Sequence, residues 1–222
     1  MERDYGVWKF SGKEKAKLIL SYLGLCGLVS WLFYHSFWAV LPFLAGLPVF
    51  LKKSREKRIK ERREELLTEF LTGIRAIASA LDAGYSMENA LGEALKETEK
   101  VYGMDGVFTE ELREMERKRN LNQSMETLWA DLGKRSGLED IENFGEIFQV
   151  ARRSGGNLKE IIQSTADNIT RKTETRREIE ISLAAKKMEQ KVMSAVPFFI
   201  LAYVDLGSPE FLEGLYHNKL GI

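Results

Sequence analysis

Hydrophobic and polar positions along this chain change regime sharply. From Leu18 to Leu51, 34 residues pass without Asp, Glu, Lys or Arg, whereas the chain after Lys52 is charge-rich nearly throughout. One membrane span needs about 20 apolar residues, so the run is too long for one and short for two generous ones. Tyr34-His35-Ser36 marks its middle and divides it into predicted spans at Leu18–Tyr34 (17 residues) and Phe37–Leu51 (15 residues). Lys9, Lys13, Lys15 and Lys17 precede the run. The segment KKSREKRIKERR, residues 52–63, follows it with eight basic and two acidic side chains. Basic residues next to membrane ends stay cytoplasmic. The flanks therefore predict a transmembrane hairpin with both ends inside and His35 near the outer face. Trp31, Phe33, Tyr34 and Trp38 gather at that turn, where an aromatic belt is expected. Pro42 and Pro48 are tolerated as kinks in a lipid span. The long charged lead-in and the lack of a small-residue cleavage site argue against a signal peptide.

A second apolar stretch, Met193–Val204, holds 12 residues without charge, short for a span on its own. Lys186, Lys187 and Lys191 precede it and Asp205, Glu210 and Glu213 follow, which suits a segment leaving the cytoplasm. The sequence leaves open whether it crosses fully.

Between these apolar regions the pattern is helical. Leu66, Phe70, Ile74, Ile77 and Leu81 recur at steps of three and four. Leu138, Ile141, Phe144, Phe148 and Ala151 do the same, as do Leu158, Ile161, Ile162, Thr165 and Ile169. No alternating strand pattern with a hairpin turn occurs. Glycine-containing breaks at 83–85, 102–106, 136–137 and 154–156 separate the helices. Short connections imply antiparallel neighbours.

Three segments share one plan: AGYSMENAL (83–91), LNQSMETLW (121–129) and SGGNLKEII (154–162). In each, a polar residue (Ser86, Ser124, Asn157) precedes Met or Leu and can cap the helix that follows. Gly84 and the pair Gly155-Gly156 are the associated turn residues, and one of the pair is expected at positive φ. Three copies at spacings of 38 and 33 residues predict related helical hairpins. From Asn157 to Val204 only Pro197 interrupts, which predicts one long helix from bundle to membrane. Its alternating-sign stretch Thr170–Arg177 reads as a solvated face.

The fold class expected is all-α. It comprises an N-terminal transmembrane hairpin, a cytoplasmic antiparallel bundle of two related halves, and a C-terminal membrane helix. The expected divisions are 1–17 (cytoplasmic segment), 18–51 (hairpin), 52–65 (basic juxtamembrane helix), 66–192 (bundle), 193–206 (third membrane segment) and 207–222 (extracytoplasmic tail). The protein would be a multi-pass cell-membrane protein with its N-terminus in the cytoplasm.

Candidate chemistry is sparse. Gly133-Lys134-Arg135-Ser136 lacks the lead-in of a phosphate loop. Cys26 is the single cysteine and lies in an apolar run with no charge to activate it. His35 and His217 lie in unrelated places and offer little for a metal. Asn122-Gln123-Ser124 and Asn168-Ile169-Thr170 match the glycosylation pattern but fall on the cytoplasmic side of the expected topology. No catalytic constellation, metal site or cofactor is expected. With 33 basic and 33 acidic residues, no nucleic-acid partner is expected either.

The segments AIASALDAGYSMENALGEA, VARRSGGNLKEIIQSTADNI and AAKKMEQKVMSAVPFFILAY, in that order and spacing, resemble the F-domain proteins of type II secretion and type IV pilus systems. They are most similar to the Tad-pilus inner-membrane platform branch. The resemblance covers roughly residues 66–206, with Ala83–Met87, Ser154–Leu158 and Pro197 carrying the family pattern. It implies a non-enzymatic inner-membrane platform that couples a cytoplasmic secretion ATPase to assembly of pilin-like subunits. A second F-domain protein, or a further copy of this chain, is an implied partner. Family members usually continue into a last transmembrane helix, whose expected start coincides with Leu220-Gly221-Ile222.

Residues 66–192 carry 19 basic and 23 acidic groups, a net −4, while residues 52–63 are +6. The acidic bundle is thus expected to meet the ATPase. Lys52, Lys53, Arg55, Lys57, Arg58, Lys60, Arg62 and Arg63 are expected to hold it against anionic membrane lipid. Read without the resemblance, the residues also fit a membrane-anchored helical signalling module that transmits a conformational change. The tiny outer loop offers such a module no sensor.

Overall fold

The computed structural model describes residues 4–8, 10–34, 45–154 and 158–207. Seven helices occur among them and no strand: α1 Gly12–Tyr34, α2 Leu47–Asp82, α3 Met87–Tyr102, α4 Val107–Asn120, α5 Met125–Ser136, α6 Glu139–Ser154 and α7 Leu158–Gly207. The chain forms two compact units, Met1–Trp8 with Lys57–Arg176, and Lys9–Glu56 with Arg177–Ile222. Helices α2 and α7 each contribute to both.

The first unit is a helical bundle. Helices α3 and α4 form one antiparallel hairpin, held where Arg113 Nη2 donates to Glu99 Oε1 at 2.6 Å and Arg119 Nη1 donates to the Glu88 carbonyl. Helices α5 and α6 form another. There Gly133 and Gly145 let the two backbones approach closely. A Cβ at Gly133 would lie 2.9 Å from Glu142 Cα, and one at Gly145 would lie 3.0 Å from the Trp129 carbonyl oxygen. The 57–82 part of α2 and the 158–176 part of α7 run antiparallel along these hairpins. Arg75 Nη2 reaches Thr170 Oγ1 at 2.8 Å, and Lys159 Nζ reaches Asp82 Oδ1 at 2.5 Å.

The helical periodicity in the sequence marks the core. Leu66, Phe70, Ile74 and Ile77 are buried, as are Ile141, Phe144, Phe148 and Ala151, and Ile162 and Ile169 of α7. At the centre, fully buried Trp129 packs against Phe70, Phe108, Phe144 and Phe148, with ring centroids 4.9–6.4 Å apart. Gly73 makes room for the Phe108 ring, since a Cβ there would collide with it.

Two features depart from the local reading. Helix α4 begins at Gly106-Val107 without a side-chain cap of its own. Instead Glu69 Oε2, from α2, accepts from the Phe108 N–H at 2.7 Å, so a buried carboxylate from another helix satisfies one of the orphan donors. The stretch Thr170–Arg177 is not solvated throughout. Thr170, Lys172 and Thr173 are half-buried, and Lys172 Nζ donates to Asp140 Oδ1 at 2.6 Å, whereas Arg171 and Glu174–Arg177 are exposed.

In the second unit, α1 buries Cys26 and Ser30 one turn apart, and Tyr22 stacks on Phe50 with centroids 5.0 Å apart. Helix α7 is exposed on every residue from Arg177 to Ser194. Among the described residues no helix is long and apolar enough to cross a membrane. The charge-free part of α1 is limited to 17 residues. Residues 35–44, which hold His35 and Trp38 of the expected outer turn and Pro42 of the expected second span, lie outside the described set.

Candidate functional site

Two of the three repeated helix starts meet at the bundle end where α2 finishes. Gly84 has φ 86° and turns the chain out of α2. Ser86 then caps α3, its Oγ accepting from the Asn89 N–H at 3.3 Å. Asn122, at φ 64°, makes the corresponding left-handed turn after α4, and Ser124 caps α5 by accepting from the Thr127 N–H at 3.3 Å. Asn tolerates that conformation where most side chains do not. Gly155, Gly156 and Asn157 lie outside the described residues.

The repeat equates Ser86-Met87-Glu88 with Ser124-Met125-Glu126, and the fold brings the equivalent glutamates to one side chain. Arg152, near the end of α6, faces Glu88 Oε1 at 3.4 Å through Nη2 and Glu126 Oε1 at 3.3 Å through Nε. A hydrogen bond to its own backbone N–H at the start of α3 is the main cause holding the Glu88 carboxyl below its usual range. Partial burial opposes it, and Arg152 and Ser86 assist. The clamp is half-exposed, so its ion pairs contribute little to stability by themselves; what it fixes is the spacing of the two helix starts. Arg152 carries no motif, and only aligning the two SME triplets would have pointed to a shared partner.

Replacing Ser124 with Ala is expected to destabilise the purified full-length protein by about 1 kcal/mol, roughly 2–4 °C in Tm. Ser124→Asp should keep the cap and the stability. Thermal unfolding followed by circular dichroism tests this, and an unchanged Tm for Ser124→Ala would remove the capping role.

The basic run divides along α2. Lys52, Lys53, Arg55, Lys57, Arg58 and Lys60 are exposed. Lys57 and Arg58 each approach Glu61 at 3.7 Å, and Lys60 approaches Glu64 at 3.3 Å, spacings of three and four on one helix. Arg62 and Arg63 behave differently. The Arg62 guanidinium lies over the rings of Tyr5 (5.3 Å) and Trp8 (5.5 Å). Arg63 is half-buried beside Gly137, whose φ of 60° ends α5.

The sequence offered no sign of the group that Arg62 helps cover. Tyr5, 2% exposed, donates its hydroxyl to Glu111 Oε1 at 2.8 Å and its backbone N–H to the Arg135 carbonyl at 3.0 Å. Arg135 in turn makes a two-pronged contact with Glu111 (3.0 and 2.7 Å) and donates through Nε to Asp131 at 2.8 Å. Residues 4–8 are thereby part of the bundle. Among the described residues no group of three His, Cys, Asp or Glu side chains could hold a metal ion.

The first unit is thus an all-helical domain of paired hairpins, two of whose repeated helix starts carry serine caps. Residues 74–205 match the family described as type II secretion system (T2SS), protein F, and the chain belongs to that family. The chain matches no curated protein and no solved structure. Proteins of the family are non-catalytic inner-membrane platform components that work with a secretion ATPase and pilin-like subunits.

Proposed function

We propose that this chain is the inner-membrane platform of a Tad-type assembly machine, coupling a cytoplasmic ATPase to pilin-like subunit assembly and export. The family match over residues 74–205 carries this reading. In the proposed topology residues 18–51 form a membrane hairpin, residues 193–206 a third membrane segment, and residues 207–222 an extracytoplasmic tail. The charge-free run of 34 residues between basic flanks supports it. So does the exposure of Leu20, Leu25, Leu28, Phe199 and Tyr203, which water alone would disfavour. The exposed bases Lys52–Lys60 of α2 face anionic lipid, whereas Arg62 and Arg63 serve the bundle. Movement of the ATPase against the acidic bundle shifts the membrane segments through α2 and α7.

The topology test places a single Cys at Ser36 in a Cys26→Ser background. It should react with an impermeant thiol reagent on spheroplasts, while a Cys at Ser124 should react only after lysis. Labelling of Ser124→Cys from outside would overturn the topology. The full-length protein should co-purify with its secretion ATPase, more weakly as salt rises, and should hydrolyse no ATP alone. Intrinsic hydrolysis, or no association in membranes, would overturn the platform role.

A further inference from the structure

The second unit contains an open apolar groove of about 1290 Å³ between α1 and α7. Leu25, Leu28 and Val29 form one wall. On α7 the apolar lining is Ala195, Phe198, Phe199 and Ala202. These four residues share one helix face, and the two alanines leave more room there than bulkier side chains would. The volume exceeds the roughly 300–1,000 Å³ of ordinary small-ligand pockets.

Among the described lining residues the polar ones gather at one end. Gln190, Lys191 and Ser194 line that end. Lys191 is exposed, has no ion-pair partner among the described residues, and shares its helix face with Lys187 one turn earlier. From Gln190 to Ala202 the lining runs about 18 Å along α7. That is close to half of the roughly 30 Å hydrocarbon core, the depth of one leaflet.

We propose that this groove is a binding site for an anionic phospholipid. Its acyl chains would lie along Ala195–Ala202 and its phosphate would meet Lys191, with Gln190 and Ser194 donating to the headgroup. A trough one leaflet long, whose described lining is apolar along its length and cationic at one end, matches a two-chain lipid. The proposal rests on the membrane reading above. It places a lipid between the first and last described helices of the second unit, so the lipid would set how they pack.

The test uses the full-length protein in non-ionic detergent, offered phosphatidylglycerol or phosphatidylcholine, with retained lipid read by native mass spectrometry. The wild type should retain phosphatidylglycerol at least five-fold over phosphatidylcholine. Lys191→Glu should abolish that preference and Lys191→Arg should keep it. Ala202→Trp, which fills the trough, should lower retention of both lipids several-fold. Equal retention of the two lipids by the wild type, or wild-type retention by both Lys191→Glu and Ala202→Trp, would overturn the site. A photoreactive residue at Leu28 that captures a protein helix in cells instead of lipid would overturn it too. Release of the protein from membranes by alkaline carbonate would instead sink the membrane reading itself.

Discussion

Replacing Trp129 with Ala should destabilise the protein by about 3–5 kcal/mol, the largest effect expected of any single core change. Trp129 is fully buried and contacts aromatic rings of α2, α4 and α6. Its loss leaves a cavity that no neighbour can close, because Gly133 and Gly145 already hold α5 and α6 at close approach. Edge-to-face pairs with Phe70 and Phe144 would be lost along with the buried area. Trp129→Phe gives the contrast. The indole Nε1 is buried without a hydrogen-bond partner, so removing it relieves a desolvation penalty while most of the ring volume stays. That variant should lose under about 1.5 kcal/mol. Denaturant unfolding of the two full-length variants measures the difference. Equal losses for both would show that ring volume is not what the site requires.

The second large effect is expected at Glu111. Its carboxylate holds both Arg135 and the Tyr5 hydroxyl, and the Glu111 and Arg135 side chains are only 7% and 14% exposed. Removing one partner of a buried pair leaves the other charge uncompensated, so Glu111→Ala should cost about 3–5 kcal/mol. Burial by itself would lower the Arg135 pKa; hydrogen bonds and charge from Glu111, and then Asp131, outweigh it and raise the value. The Glu111→Ala/Arg135→Met double variant should recover much of the loss, because an apolar pair needs no charge compensation. No recovery would mean that the pair acts through something besides its own charges.

Tyr5 adds a pH dependence to the same group. Burial first, and then the neighbouring Glu111 carboxylate, raises its pKa above the ordinary value. The folded state therefore holds the phenolic proton more tightly than the unfolded chain does. The stability this contributes is fully present below the unfolded tyrosine pKa of about 10 and falls as pH rises above it. Tyr5→Phe should flatten that alkaline decline in Tm. Because residues 4–8 belong to the bundle, a fragment beginning at Lys52 would leave Glu111 and Arg135 short of a partner.

The sequence by itself determined what depends on near neighbours. Periodicity of three and four fixed the buried faces of α2, α6 and α7, because a helix repeats every 3.6 residues whatever it packs against. Ser86 and Ser124 were legible as caps because a hydroxyl three residues before an orphan N–H reaches it without help from the fold. The family was legible in the order of the helix starts. Only the tertiary structure decided the groups assembled from distant positions. Glu69 caps a helix that begins 38 residues later, Arg152 gathers the two repeated glutamates, and Tyr5 reaches Glu111 across 106 residues. Each looks like an ordinary surface residue in sequence. A charged or polar side chain acquires its role from the partner that removes water from it, and local pattern carries no record of a partner that far away.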